Sequence, residues 1–398
     1  MKKLRFCVLG LTVLVSAGLL SCTARPVSRC TAPGDTAAHH YFRAMEALER
    51  DELPLSESEL ERSVYCDEKY GPSYAGLGLI HAERSAAAAD AEQAKAEKLK
   101  ALGLLREAER LSRTDDDAFN TALTTIRLTT ILGGKHWVSD VEGEYERARL
   151  IRPDERMLVY YEGREALDYY MGLSYVKAHE FEKGRDLFAR VLNAKKEGRW
   201  LGPADRAWKK ADRTSRALAG ITVGNAGKRI VLQDFVTRED LSALLVDELG
   251  LGTPLCRPVG APFDTVPADV AGSPFRGDIL TVMKCGVRGL ELKYHGTSRA
   301  YLFEPRDRVS RGEMAFVLED LLSRAQGDEA MPIRYLGQEK SPFRDIGPTS
   351  RFYNAVVSVT SHGIMEADTS GDFEPDKPVD GATAILALRT VQQKIHAR

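Results

Sequence analysis

From residue 35 to about 220 the chain mixes apolar Ala and Leu with polar Glu, Lys and Arg, and it contains few β-branched residues. This pattern favours consecutive helices, and turns with Gly or Pro separate the apolar stretches. The predicted helix pairs are 36–50 with 56–69, 72–89 with 92–112, 116–132 with 138–151, and 155–178 with 180–194. A last helix at 203–219 is expected to cap this array, and the glycine-rich residues 220–227 mark the predicted domain boundary.

The second half of the chain, residues 228–398, contains an internal repeat. Phe303-Glu304-Pro305 precedes the segment 309–315, and the same order returns as Phe373-Glu374-Pro375 before 379–385. Upstream, residues 262–264 and 282–287 correspond to 342–345 and 359–364, and a truncated first copy contains 236–241. The predicted copies lie at 228–252, 262–325 and 341–398, about two and a half in all. Each copy predicts helices, so we expect a mainly all-α fold for the whole chain.

Several residues of the repeat are suited to cap helices. Ser310 and Glu313 have the spacing of a capping box, in which the hydroxyl and the carboxylate satisfy amides at the helix start. Thr237 and Asp240 form a shorter version, and Asp380 is expected to cap the third helix alone. Caps of this kind contribute about 1 kcal/mol each, so these residues need no ligand to explain them.

The amino terminus has the pattern of a secretory signal. A basic start, Lys2-Lys3-Leu4-Arg5, precedes an apolar run that ends at Leu19-Leu20-Ser21-Cys22 and is too short for a stable membrane span. With Cys directly after a small residue, this end resembles a bacterial lipobox. The resemblance implies a signal peptide at 1–21, lipidation of Cys22, a tether at 22–34 and an outer-membrane location facing the periplasm. The alternative is an ordinary signal peptide in which Cys22 stands by chance.

The helix pairs at 35–220 resemble the tetratricopeptide repeat. The best match places small and aromatic residues on facing helices, at Met171-Gly172, Tyr175, Gly184, Phe188 and Val191. The resemblance implies a solenoid whose concave face binds a peptide or a partner helix, and the alternative is a spacer. Four tyrosines are expected to belong to the core of the repeats, namely Tyr160, Tyr161, Tyr169 and Tyr170.

The order of elements in residues 228–398 resembles the S-layer homology domain. An aromatic residue with Asp, a helix, Gly-Val or Gly-Ile, Phe-x-Pro and a capped second helix follow one another. The resemblance implies a helical bundle of three copies that binds peptidoglycan-linked polysaccharide and holds a protein to the cell wall.

Two arginines of the repeat are candidate ligand contacts. Arg238 and Arg311 lie in the first turn of a capped helix, where a cation opposes the helix dipole. Beside free helix amides, such a guanidinium group would suit an anionic or hydroxyl-rich glycan. In the S-layer homology family, which this region resembles, this arginine contacts the wall polymer. The resemblance therefore predicts that Arg238 and Arg311 bind glycan. The alternative is an ion pair with Glu239 or Glu304, and in the third copy Gly381 replaces the arginine.

Four cysteines follow the predicted lipidation site, in two sequence-local pairs. An oxidising envelope would allow disulfides between Cys30 and Cys66 and between Cys256 and Cys285. Sequence alone permits three connectivities, and free buried thiols are the alternative. No C-x-x-C motif or histidine cluster accompanies these cysteines, so we predict no metal site.

The charge balance restricts the class of partner. The chain has 56 basic and 58 acidic residues, for a net charge of −2, and no long block of one sign, which argues against nucleic-acid binding. It contains no nucleophile elbow, phosphate loop or dinucleotide fingerprint, so we predict neither catalysis nor a cofactor.

Together these patterns predict a cell-envelope protein that tethers or scaffolds. Its lipid would hold the membrane and its C-terminal region would bind peptidoglycan or wall-linked polysaccharide. The alternative is an assembly or secretion accessory factor whose helical array binds an envelope protein client.

Overall fold

The structure is a computed structural model that describes residues 30, 32, 34–194, 197–219, 224–251, 255–256, 266–368 and 370–396. The predicted signal peptide and Cys22 lie outside the described residues, as does most of the tether predicted at 22–34. The described part is mostly helical and contains almost no strand, which confirms the all-α prediction. Among these residues, no helix is both long and apolar enough to cross a membrane.

The described residues form two compact units. The first contains the residues up to Lys135 together with Glu146–Gly163, and the second contains His136–Tyr145 together with the residues from Arg164 onward. The division falls within helix α6 (Trp137–Leu150). The predicted domains, 35–220 and 228–398, stay a prediction, and the helices between residues 164 and 219 fall in the second unit.

The first unit contains paired helices. They are α1 (Ala37–Glu49), α2 (Leu53–Cys66), α3 (Gly71–Ala87), α4 (Ala91–Leu111) and α5 (Asp115–Leu132). Helix α1 packs on α2, and α3 packs on α4 and α5. A Cβ at Gly76 would lie 2.6 Å from Leu60 Cδ2, so this glycine lets α2 and α3 approach closely. The paired helices are consistent with the predicted repeats, and their assignment as tetratricopeptide repeats stays a prediction.

The helix predicted at 155–178 begins later than expected. A 3-10 turn occupies Glu155–Met157, and α7 starts only at Glu165. Between them the chain turns at Glu162, whose φ is +56°, while the side chains of Tyr160 and Tyr161 are fully buried. Burying two adjacent aromatic rings therefore replaces the first helical turns of the predicted element.

The second unit contains the remaining helices and a hairpin. They are α7 (Glu165–Lys177), α8 (Phe181–Asn193), α9 (Leu201–Leu218), α10 (Asn225–Ile230), α11 (Arg238–Asp247), α12 (Arg276–Lys284), β1 (Lys293–His295), β2 (Ala300–Leu302), α13 (Arg311–Gln326), α14 (Tyr353–Ser361) and α15 (Gly381–His396). Helices α7 and α8 pack closely because Gly172 has no side chain: a Cβ there would lie 2.5 Å from the ring of Phe188.

Three pairs of helices give the repeated region a cyclic arrangement. Helix α11 packs on α12, α13 packs on α14, and α15 packs on α9. We call the segments that contain α11, α12–α13 and α14–α15 the first, second and third copies. Helix α9, which was expected to cap the helical array, contacts both α8 and α15. Its Ala217 belongs to the same buried core as residues of α11 to α15, so α9 closes the cycle of copies.

Candidate functional site

Three valines join the copies at the centre of the bundle. The Val309 amide donates to the Val236 carbonyl at 2.9 Å, and the Val379 amide donates to Val309 at 3.0 Å. The Val236 amide closes the ring by donating to the Val379 carbonyl at 2.7 Å. Each valine precedes the capping residue of a long helix, so the ring brings three helix starts together.

The predicted capping residues lie at these helix starts. In the first copy, the Asp240 amide donates to Thr237 Oγ1, and the Thr237 amide donates to Asp240 Oδ2. Ser310 and Glu313 make the same two bonds at the start of α13. At α15, Asp380 accepts from the amide of Thr383 at 2.8 Å.

The first-turn amides are not free, in contrast to the assumption behind the predicted glycan contact. The amides of Arg238 and Glu239 donate to the carbonyls of Asp307 and Pro305 in the next copy, both at 2.9 Å. The amides at the start of α13 donate in the same way to Lys377 and Pro375 of the third copy. Each helix start is therefore hydrogen-bonded to the loop of the following copy.

The guanidinium group of Arg238 points into the protein. It donates to the carbonyls of Phe303 at 2.8 Å, Gly289 at 3.1 Å and Glu291 at 2.7 Å, and it lies 4.8 Å above the Phe303 ring centroid. The residue is only 4% exposed. Burial lowers the pKa of Arg238 from its ordinary value. Among the described residues, neither Glu239 nor Glu304, the alternative ion-pair partners, accepts a hydrogen bond from it.

Arg311 makes the equivalent contacts one copy later. Its Nε donates to the Phe373 carbonyl at 2.7 Å and its Nη2 donates to the Glu366 carbonyl at 2.6 Å. The guanidinium carbon lies 4.6 Å from the Phe373 ring centroid. Burial lowers the pKa of Arg311 as well, although this residue is half-buried. Both arginines thus clamp the Phe-Glu-Pro loop of the next copy.

Two aspartates, each of which accepts two backbone amides, complete this clamp. One of them was not identified from the sequence. Asp345 accepts from the amides of Phe373 and Glu374 at 2.9 and 2.5 Å. In the second copy Asp269 accepts from Phe303 and Glu304 at 3.3 and 2.7 Å. From the sequence, residues 262–264 were expected to correspond to 342–345, but they lie outside the described part. The similarity of Asp269-Val270 to Asp345-Ile346 is the sequence signal that could have identified Asp269.

A cleft of about 420 Å³ lies where the first copy meets the second. Its lining comes from the start of α11, the loop before α12 and the Phe-Glu-Pro loop, and it comprises Glu239, Asp269, Gly272, Ser273, Pro274, His295, Glu304, Pro305, Arg306 and Asp307. Ser273 Oγ donates to Glu239 Oε2 at 2.5 Å across this junction. The cleft is therefore built by residues of both copies and bordered by the loop that Arg238 holds.

Charged groups surround Glu304 at the edge of the cleft. Lys293 Nζ lies 2.6 Å from one carboxylate oxygen, and His295 Nε2 contacts the other. The hydrogen bonds from Lys293 and His295 lower the pKa of Glu304 to about 2, against the effect of burial. Burial and the neighbouring Glu304 carboxylate raise the pKa of Asp307.

Comparison with known families identifies part of this region. Residues 342–385 match the family model of the S-layer homology domain. The match contains Asp345, Phe373 and Asp380, which take part in the clamp and the cap described above. S-layer homology domains bind cell-wall polysaccharides and attach proteins to the envelope. No curated protein matches the chain.

The junction between the third copy and the first, at the start of α15, differs from the other two. Gly381 stands where the first two copies have arginine, and a Cβ there would lie 1.7 Å from the Ile230 carbonyl oxygen. The Gly381 amide donates to the Gln233 carbonyl at 3.0 Å. The backbone at the end of α10 thus fills the space that a side chain would need, which explains the missing arginine.

The structure joins the cysteines in the two sequence-local pairs. Cys30 is bonded to Cys66, and Cys256 is bonded to Cys285. In the described part, the one group with metal-ligand spacing is Cys30, Asp35 and Cys66. Two of its members form a disulfide and therefore offer no thiolate to a metal ion.

Proposed function

We propose that this chain is an envelope attachment protein whose C-terminal copies bind a wall-linked polysaccharide while lipid on Cys22 holds the amino terminus to a membrane. The match of residues 342–385 to the S-layer homology domain carries the proposal, since such domains bind cell-wall polysaccharides. The lipid anchor rests on the lipobox-like pattern at Leu19-Leu20-Ser21-Cys22. The helices before residue 200 would then act as a spacer between the two attachments.

Two attachments on one chain would act together. Once the lipid holds the chain at the membrane, the C-terminal copies meet the wall at a high effective concentration, so even a weak affinity for the polymer suffices. A single acyl chain gives only marginal binding, whereas two or three chains on one cysteine hold stably. The expected result is a tether between the membrane and the wall.

The proposed polymer site is the cleft between the first and second copies. It is supported by the lining from both copies and by polar side chains at its rim, including Glu239, Ser273 and Arg306. In this proposal Arg238 and Arg311 are positioning residues and do not contact the polymer directly. The reason is that all three guanidinium nitrogens of Arg238, and Nε and Nη2 of Arg311, already donate to carbonyls of the following copy.

The test is co-sedimentation with purified peptidoglycan sacculi. The full chain with Cys22→Ser is used so that lipid cannot cause sedimentation. We expect this protein to pellet with sacculi, and a Ser273→Trp variant to remain in the supernatant because the indole would fill the cleft. A Lys284→Trp variant, at an exposed position of α12 outside the cleft lining, serves as the matched control and should pellet like the parent. Failure of the parent to pellet would overturn the proposal.

A further inference from the structure

We propose that the hairpin of the second copy carries a stacking platform, formed by Tyr294 and Tyr301, on which a sugar ring of the wall polymer packs. This inference rests on the proposed function and adds a second contact beside the cleft between the first and second copies. His295, the last residue of β1, is one of the lining residues of that cleft. The platform therefore begins one residue away from the proposed polymer site.

The two rings lie side by side on the surface of the protein. Tyr294 of β1 pairs with Tyr301 of β2, and their ring centroids are 5.2 Å apart. The two side chains are 58% and 57% exposed, more than any other Phe, Tyr or Trp that the structure describes. Single exposed apolar side chains need no explanation, whereas two adjacent large rings indicate a contact surface. Tyrosine suits such a surface because it offers a large contact area with few rotatable bonds.

The hairpin is fixed to the bundle, so the rings are held in place before a ligand arrives. Lys293 Nζ lies 2.6 Å from one carboxylate oxygen of Glu304, and His295 Nε2 contacts the other. On either side of the hairpin, Leu290 and Phe303 belong to the buried core. A preformed surface loses less conformational entropy on binding than a mobile one.

The clamp between copies does not require this hairpin. The described residues between Gly363 and Phe373 of the third copy contain no strand, yet Arg311 holds the Phe373 carbonyl there. The tyrosine pair is thus an addition of the second copy that the shared clamp does not explain. Because pairing of two rings across the strands also stabilises a hairpin, a test has to separate this structural role from binding.

The chemistry of the platform suits a sugar. The C–H bonds on one face of a sugar ring carry partial positive charge and the face of a tyrosine ring carries partial negative charge, so the two pack together. The turn between the strands adds exposed side chains of Thr297, Ser298 and Arg299, which can hydrogen-bond to sugar hydroxyls. Residues 293–302 contain no Asp or Glu, so the hairpin accepts neutral and acidic sugars alike.

Other occupants fit this surface less well. A lipid surface binds segments that present apolar side chains to it, whereas the tip of this hairpin, residues 296–299, is Gly-Thr-Ser-Arg. A stable contact with a second copy of the chain needs about 1,000 Å² of buried surface, and two tyrosine side chains supply only about 150–250 Å² each. One sugar ring needs no more area than these two rings offer.

The experiment uses the full chain with Cys22→Ser and glycan strands that an amidase has freed from stem peptides. Replacing both Tyr294 and Tyr301 by Thr removes the rings but keeps β-branched residues that favour a strand. We expect this variant to bind glycan strands at least about fivefold more weakly, since an aromatic stacking contact contributes roughly this factor. Replacing both by Phe keeps the rings and should retain the affinity of the parent. Tyr65→Ala removes an exposed tyrosine of α2 and serves as the matched control, which should bind like the parent.

Chemical modification tests the same point without altering the hairpin. Tetranitromethane nitrates exposed tyrosines, and mass spectrometry measures the modification at each position. Saturating glycan strands should slow the nitration of Tyr294 and Tyr301 and leave that of Tyr65 unchanged. Protection of the two rings would show contact with the ligand, which a purely structural role of the pair does not produce.

The outcomes separate the platform from the function on which it rests. If the threonine variant binds like the parent, or if glycan strands leave both rings open to nitration, the platform is overturned while attachment to the wall stands. Binding of the parent to intact sacculi but not to stripped glycan strands would identify a stem peptide as the ligand and would also overturn the platform. If the parent binds neither preparation, both the platform and the proposed function are overturned.

Discussion

Replacing Arg238 by Met removes a guanidinium group that donates to three backbone carbonyls. The methionine side chain retains most of the aliphatic part of the arginine. Hydrogen bonds from charged donors contribute about 1.5–3 kcal/mol each, and part of this is offset because the charge no longer has to be buried. The acceptors, on Gly289, Glu291 and Phe303, would lose their partner in a site where Arg238 is 4% exposed. We therefore expect a loss of about 3–5 kcal/mol in the free energy of unfolding.

Arg311→Met is the matched comparison. Arg311 donates to two carbonyls and is half-buried, so its replacement is expected to cost about 1.5–3 kcal/mol. Urea unfolding followed by tryptophan fluorescence measures both, because the three tryptophans, Trp137, Trp200 and Trp208, belong to the second unit. The midpoint should fall further for Arg238→Met than for Arg311→Met.

The opposite pattern would refute the positioning role. If Arg238→Met unfolds like the parent but no longer pellets with sacculi, the guanidinium group contacts the polymer directly. A variant that is destabilised but still binds when folded supports the clamp.

Two further predictions concern the junctions between copies. Gly381→Ala should cost about 3 kcal/mol or more in urea unfolding, because its Cβ would lie 1.7 Å from the Ile230 carbonyl oxygen. Gly277→Ala in α12, where an added Cβ has open space, should be neutral or stabilise the fold by up to about 1 kcal/mol. The pKa of Glu304 falls from about 4.5 in the unfolded chain to about 2 in the fold, so its ionised carboxylate stabilises the fold above about pH 4.5. This contribution should disappear as the pH falls toward about 2. Thermal unfolding across this range should therefore show a smaller acid sensitivity in Glu304→Gln than in the parent, and equal sensitivity would contradict the ion pairs with Lys293.

Local contacts of the repeat could be predicted from the sequence, whereas contacts between copies could not. The capping residues Ser310 and Glu313 are three positions apart, so the S-x-x-E pattern contains the whole interaction. The partners of Arg238 lie 51 to 65 positions away and are backbone carbonyls, which leave no trace in the side-chain pattern. The sequence therefore suggested a ligand contact for Arg238, although in the structure its donors bond to backbone carbonyls of the protein itself.

The same limit applies to the correspondence between copies. The second copy has a hairpin, β1 with β2, between Gly286 and Phe303, while the described residues between Gly363 and Phe373 of the third copy contain no strand. Unequal spacing hid the equivalence of Asp269 to Asp345, which only their shared hydrogen bonds reveal. Helix α9 was likewise assigned by its place in the chain to the preceding array, although it also packs on α15.

Hydrogen–deuterium exchange of the full chain with Cys22→Ser, measured with and without solubilised wall fragments, tests most directly where the wall polymer binds. Binding in the cleft between the first and second copies predicts slower exchange in the segments 269–274 and 304–307, which contain most of its lining residues, and no change in helices α1 to α5. Slower exchange confined to α1 to α5, or no change anywhere at saturating fragment, would contradict it.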